Sequence, residues 1–300
     1  DKFQPEKITP LTLGVIANVK GRLTGDGRID WTPEAVRSTG HFTVLNTDLA
    51  AAFGPVEGIE TEIKFTDLLG MLTEPGQIAR VRSVNPGIPT YEGVIRYQLL
   101  PDQQVRIEEG RWPFYGGELI LEPTVLDFDI ASERKLTFRV IGLDAEKFLA
   151  GYDLQNLQVE GVFDGTLPMV FNQEGGRIVG GYLASRPGGG ELSYLGELTY
   201  EDMGVFANFA FQALRSIRFR EMRIGVDGKI DGEIVTDVAF EGLQQGSLAK
   251  QNFITKQLAK VPIKFNVRIE AEFLQLIGSI RGLYDADYAL QQGRDIIESQ

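Results

Sequence analysis

The side chains able to do chemistry are few and scattered. His41 is the single histidine and there is no cysteine. Thiol catalysis, disulfides and cysteine-based metal sites are therefore excluded. A triad or metal centre built on His41 needs partners. Its neighbours Gly40, Phe42 and Thr43 supply none, so it reads as a surface or strand residue. Asp127 and Asp129 flank Phe128, and Glu108 and Glu109 are adjacent. A hydrolytic carboxylate pair works across a defined cleft, and nothing nearby points to one; both pairs read as solvated exterior. Pro187-Gly188-Gly189-Gly190 lacks the Lys-Ser/Thr of a phosphate loop, and Glu191 after it would repel phosphate. It reads as a turn or bulge. Arg215, Arg218, Arg220 and Arg223 form the one basic cluster. They suit a salt-bridged helix end or contact with an anionic group. No catalytic constellation emerges, and no metal or cofactor is expected.

What positions these residues is a pattern of alternation. In Met222 to Gly242 (MRIGVDGKIDGEIVTDVAFEG) the even positions carry no charge, whereas the odd ones include Arg223, Asp227, Lys229, Asp231, Glu233, Asp237 and Glu241. Successive strand residues point to opposite faces, so this is a sheet with one apolar and one wet face. Val261, Ile263, Phe265, Val267, Ile269, Ala271 and Phe273 repeat the pattern against Pro262, Lys264, Asn266, Arg268, Glu270 and Glu272. Parity holds across Asp227-Gly228, and a two-residue loop would reverse it. The stretch is thus one bent strand of roughly 70 Å, at about 3.3 Å per residue, or a hairpin with an odd loop or bulge. An apolar stripe of several hundred Å² represents on the order of 10 kcal/mol at about 25 cal/mol per Å². It must meet a second sheet, close on itself or hold an apolar ligand.

The totals agree with an all-β chain. The 300 residues include 35 glycines, scattered between short apolar runs as turns and bulges require. A net charge of -12 argues against nucleic acid and against simple adhesion to anionic membranes. No run of about 18 apolar residues is present to span a bilayer as a helix. The sequence begins at Asp1 without a signal peptide, and is read as a mature or shortened segment.

Strands are expected over Leu13 to Val19, Gly27 to Trp31, Gly40 to Leu49 and Ile59 to Phe65, with turns at Asp26-Gly27 and Gly54-Pro55. Leu49 to Phe53 could form one helical turn. Further strands follow from Gln77 to Ile141. Leu126, Phe128 and Ile130 are set to pair with Leu136, Phe138 and Val140 in a hairpin about Ser132-Glu133. Asp144 to Leu149 suits one helical turn. Leu157 to Leu167 places Val159, Gly161, Phe163, Gly165 and Leu167 on one face. Gly204 to Ile217 (GVFANFAFQALRSI) has helical spacing, and residues 274–300 are expected to form a helical tail.

Three features in order carry a resemblance. They are LQVEGVFDGTLPM from Leu157, GGRIVGGYLASRPGGGELSY from Gly175, and then the Asn208-Phe209 helix followed by the alternating strands 222–242 and 261–273, with Leu274 to Ile280 behind. Over about residues 155–283 this resembles the C-terminal part of the YdbH-like proteins, relatives of the AsmA and TamB groups. The resemblance implies a C-terminal fragment of a periplasm-spanning protein of diderm bacteria, anchored in the inner membrane by an N-terminal helix. It implies phospholipid transport through a long U-shaped β-groove, with a small outer-membrane lipoprotein as partner near the C-terminal end.

The expectation is therefore a mainly β protein: one continuous, elongated, curved antiparallel sheet over residues 1–300, forming a U-shaped apolar groove with a few short helices. Acyl chains would lie against Met222, Ile224, Val226, Ile234, Val238, Phe240, Ile263, Phe265, Val267, Ile269 and Phe273, with Phe128, Phe138, Val159 and Phe163 further along. The basic cluster would meet lipid phosphates at the rim. A free edge near 262–273 would take the partner by strand addition. Such transport needs no active site. The alternative is a structural β-scaffold or stalk with a dry core and no lipid cargo.

Overall fold

A computed structural model describes residues 16–51, 54–85, 88–128, 132–151, 157–172, 175–194, 216–230, 232–245 and 265–272. The expected helix at 204–217 and tail at 274–300 lie outside them. The protein is mainly antiparallel β and divides into two compact units. The first holds residues 1–141 and 166–179, the second 142–165 and 180–300.

The first unit contains β1 (Ile16–Trp31), β2 (Val36–Ala51), β3 (Gly54–Asp67), β4 (Leu72–Thr73), β5 (Gln77–Val84), β6 (Thr90–Leu100), β7 (Gln104–Phe114), β8 (Gly117–Leu121), β9 (Thr124–Asp127) and most of β10 (Arg134–Asp144). The ladder order is β1-β2-β3-β5-β6-β7-β8-β10, with β4 beside β3 and β9 beside β7. β1 runs straight through Asp26-Gly27, where a turn was expected. Asp26 pairs with His41 and Gly27 with Gly40, and the chain reverses at Thr32–Ala35 instead, where the Thr32 amide donates to the Ala35 carbonyl at 2.8 Å. Thirteen paired positions outweigh a two-residue turn signal. β2 likewise continues to Ala51 rather than entering a helical turn at Leu49. The expected hairpin about Ser132-Glu133 is replaced by two other ladders: β9 pairs with β7 (Val105↔Leu126) and β10 with β8 (Phe138↔Leu121). That register sets Leu126 and Phe138 on the face that carries Trp112.

The second unit opens with α1 (Ala145–Ala150), the expected short helix. Asp144 caps it by accepting from the Glu146 and Lys147 amides at 3.1 and 3.2 Å. β11 (Leu157–Glu160), β14 (Gly190–Tyr194), β15 (Ser216–Phe219) and β18 (Gln244–Gln245) form a four-stranded sheet. β16 (Glu221–Lys229), β17 (Glu233–Glu241) and β19 (Phe265–Glu272) form a ladder in that order. β12 (Val162–Asn172) and β13 (Gly175–Ser185) are divided, with 166–179 assigned to the first unit and their outer ends to the second.

Two details of the second unit decide how the alternation is used. Residues 221–241 form a hairpin whose three-residue connection preserves parity: Met222 faces Phe240, Ile224 faces Val238 and Val226 faces Thr236. The Leu157 to Leu167 run, expected to set Val159 and Phe163 on one face, breaks at Gly161. With φ at 143°, a region only glycine enters freely, Gly161 hands the chain from the four-stranded sheet to β12. Val159 therefore lies on one sheet and Phe163 on another.

Candidate functional site

In the first unit one uncharged row crosses the strands through direct ladder partners: Leu23, Val44, Thr61, Ala79, Ile95, Gly110, Leu121 and Phe138. On the reverse face a row runs Glu60, Arg80, Val94, Arg111, Ile120, Arg139. The sheet is thus apolar on one side and largely charged on the other, as period-2 alternation dictates. Burial is uneven along the apolar side. Tyr97, Ile107, Trp112, Leu121 and Leu126 form a packed cluster, joined by half-buried Phe128 and Phe138. Toward β1 the same face is open: Leu23, Ile29, Trp31 and Val36 are exposed, Trp31 by 76%.

Glycine and aromatic residues share this face for a steric reason. Phe42 lies where a Cβ on its ladder partner Gly25 would come within 2.6 Å of the ring. Trp112 lies over Gly93 and Gly110, where added Cβ atoms would come within 2.0 and 2.8 Å of the indole. In the second unit Phe219 lies over Gly190 in the same way, at 2.7 Å. A bare glycine lets a broad ring lie flat on the strand beside it, so glycine supplies floor as well as turns.

The second unit repeats the two-faced design. Met222, Ile234 and Phe240 are buried, whereas Ile224, Val226 and Val238 are half-buried. Arg223, Asp227, Lys229, Glu233 and Asp237 are exposed on the reverse face. Phe240 meets Phe219 edge to face at 5.9 Å, so the apolar faces of β17 and β15 close on each other at that end. β19 continues the pattern in register: Phe265 is opposite Phe240, Val267 opposite Val238 and Ile269 opposite Thr236. Val159 and Phe163 are buried, on their separate sheets. Ile263 and Phe273 lie outside the described residues.

Most of the chemically capable groups lie on the wet exterior, with Glu191 the buried exception. His41 is exposed, with Nε2 2.8 Å from Glu62 Oε1. Glu109 pairs with Arg111 at 2.8 Å, which holds its carboxyl below the usual range, and Glu108 accepts the Gly76 amide at 2.9 Å. Asp129 lies outside the described residues, as does Arg215. Arg218 donates to the buried Glu191 at 3.1 Å, where Ser216 also donates at 2.6 Å. Arg223 pairs with Glu221 at 2.6 Å. The Pro187–Gly190 stretch is the turn between β13 and β14. Arg186 before it donates to both oxygens of Asp164 at 2.8 Å, and the Gly142 amide adds a third bond at 2.7 Å. Among the described residues no group of three metal-ligating side chains occurs.

Leu23, Ile29, Trp31 and Val36, exposed on this apolar face, are not among the expected lipid-contact residues. The signal was present, because Leu23, Gly25, Gly27, Ile29 and Trp31 alternate with Arg22, Thr24, Asp26, Arg28 and Asp30. Placing a turn at Asp26-Gly27 cut the strand and hid its parity.

No curated protein and no solved structure matches the chain. A family model does, over residues 1–294; it is described as YdbH-like, intermembrane phospholipid transport protein YdbH. No helix among the described residues is long and apolar enough to cross a membrane. A match of this extent, on a chain of one-sided apolar sheets, places the protein in the YdbH-like family of intermembrane phospholipid transport proteins.

Proposed function

We propose that each unit's apolar face is a stretch of a U-shaped, bridge-like groove that carries phospholipids between the inner and outer membranes. Acyl chains lie on the uncharged side while headgroups stay in water at the open mouth. The residues in contact are Met222, Ile224, Val226, Ile234, Val238 and Phe240, their cross-strand neighbours on β19, and Phe128, Phe138, Val159 and Phe163. The single observation that supports this most strongly is the half-buried row Ile224, Val226 and Val238, apolar side chains left in partial contact with solvent on a face without charge. An apolar face of that kind is costly in water and marks a binding surface.

In this reading the full-length protein is anchored in the inner membrane and works in the periplasm. A small outer-membrane lipoprotein adds a strand at residues 262–273, where β19 ends the described ladder order. Main-chain hydrogen bonds along an edge give such a partner its affinity.

A second reading, a dry scaffold, draws support from the tightly packed cluster around Trp112 and Leu121. Site-specific photo-crosslinking in cells labelled with radioactive phosphate separates the two. A probe at Val238 picks up label and a probe at its exposed neighbour Asp237 does not, if the groove carries lipid. Absence of label at both sites in a folded protein leaves only the scaffold.

A further inference from the structure

The apolar face of the first unit holds one polar atom that nothing answers. The Trp112 indole nitrogen is buried and, among the described residues, is the one buried side-chain polar atom without a hydrogen-bond partner. Buried donors in folded proteins are nearly always paired, and an exception asks for a reason. The other polar groups nearby are satisfied: Thr61 Oγ1 donates to the Ile78 carbonyl at 2.9 Å, which leaves the Tyr97 hydroxyl to donate to Thr61 at 3.0 Å.

The seat under the indole is unusual as well. It is made of glycine, so only backbone lies beneath the ring, while Tyr97, Leu121 and Leu126 pack with it in the cluster. Nε1 sits where a Cβ on Gly93 would come within 2.0 Å, and the six-membered ring sits over Gly110. Gly93 has an ordinary backbone conformation, so its lack of a side chain serves the ring and not the chain path. Ile95, Leu119 and Phe138 around the cluster are only half-buried. At 5% exposure the ring leaves its seat only if these half-buried neighbours give way.

Resting on the groove reading, we infer that Trp112 is a recognition point for the ester carbonyl of an acyl lipid. The polar group that an acyl chain brings nearest to an apolar floor is its ester. An ester carbonyl accepts a hydrogen bond and donates none, which is what a lone indole N–H requires. Once lifted, the ring also offers its apolar body to the chain, as tryptophan does where an apolar phase meets a polar one. The two states are then the indole seated on Gly93 with its donor unpaired, and the indole raised with its donor on the ester.

The full 300-residue chain carries two tryptophans, so Trp31→Phe leaves Trp112 as the sole reporter. In that background, loading is measured with phosphatidylcholine brominated on its chains, in the diacyl form and in the dialkyl ether form that lacks the carbonyls. The expected result is quenching of Trp112 fluorescence and a preference of about fivefold for the diacyl lipid, the worth of one neutral hydrogen bond. Trp112→Phe keeps a ring, removes the N–H and abolishes the preference, read here as the amount of each lipid recovered with the protein because no tryptophan remains. Gly93→Ala, which displaces the ring but retains its N–H, increases the quenching and keeps the preference. Equal loading of the two lipids by the parent, or a preference that survives Trp112→Phe, overturns the inference while leaving the groove intact. No loading of either lipid by any form overturns the groove and the inference together.

Discussion

The β1–β2 hairpin and the β7–β10 region follow one rule and reach opposite results. Both alternate apolar and polar residues, and both set glycine beside an aromatic ring. They also belong to the same uncharged row from Leu23 to Phe138. Yet Leu23 is 58% exposed and Leu121 only 4%. The difference lies in what stands over the row. In β7–β10 the large side chains Tyr97, Trp112 and Phe138 converge from neighbouring strands, and Trp112 reaches Phe138 with ring centres 6.2 Å apart. On β1 the partners of Leu23, Gly25, Gly27, Ile29 and Trp31 are Val44, Phe42, Gly40, Ser38 and Val36; only Phe42 is large, and its ring lies beside Gly25 and meets Phe65. Alternation decides which face is apolar; bulk on the neighbouring strands decides whether that face becomes core or surface.

The contrast can be broken from the packed side first. Val140, 2% exposed, replaced by Asp puts an unpaired carboxylate among apolar groups and should cost more than about 4 kcal/mol; chemical denaturation with circular dichroism reads this directly. Leu121→Ala should cost about 3 kcal/mol by cavity formation, whereas Leu23→Ala should stay within about 0.5 kcal/mol of the parent. Equal losses at the two sites would mean that the hairpin face is covered after all. In the second unit, Gly190→Ala drives a methyl group to 1.9 Å from the Glu160 carbonyl and 2.7 Å from the Phe219 ring. Overpacking of that kind costs about 2 kcal/mol, seen as a lowered Tm. Trp31→Ser should leave Tm nearly unchanged and reduce phospholipid recovered with the purified protein.

The smallest effect concerns the charged exterior. The hydrogen bonds from Arg186 chiefly, with the Gly142 amide and the Arg186 charge, hold the Asp164 carboxyl below its ordinary value against the opposing effect of burial. A carboxylate whose folded value is lowered binds fewer protons in the folded state. Its contribution is therefore present above about pH 4 and fades as pH falls through the folded value. Asp164→Asn should flatten the acid limb of the stability profile slightly and leave neutral-pH lipid recovery unchanged. Because the pair is half exposed, the change should be small.

Much of this was legible in the residues. The parity of Met222 to Gly242 allowed one long bent strand or a hairpin with an odd connection, and the structure has the hairpin, with Gly228 opposite Ile234. The odd-numbered apolar set at 265–271 meets the even-numbered set of β17 partner for partner. Asp144 before Ala145 marked a helix start. Illegible were events that depend on a strand's neighbours. Asp26-Gly27 has the composition of a turn, yet pairing along β2 carries β1 through it. Gly161 sits inside an unbroken alternation, yet its backbone sends Val159 and Phe163 to different sheets. Leu126 and Phe138 look like hairpin partners, yet each finds an older strand, β7 and β8.

By itself the sequence determined the chemistry of the surfaces. One face is uncharged, the other is charged, and cysteine chemistry is excluded. Those follow from side-chain type and from a period of two, which are local properties. Tertiary structure decided where the apolar face is core and where it is open, because burial is set by side chains that arrive from other strands. It also decided that Trp112 lies on glycine with its N–H unanswered, since Gly93 and Trp112 are 19 residues apart in the chain and become neighbours only through the ladder of β6 and β7.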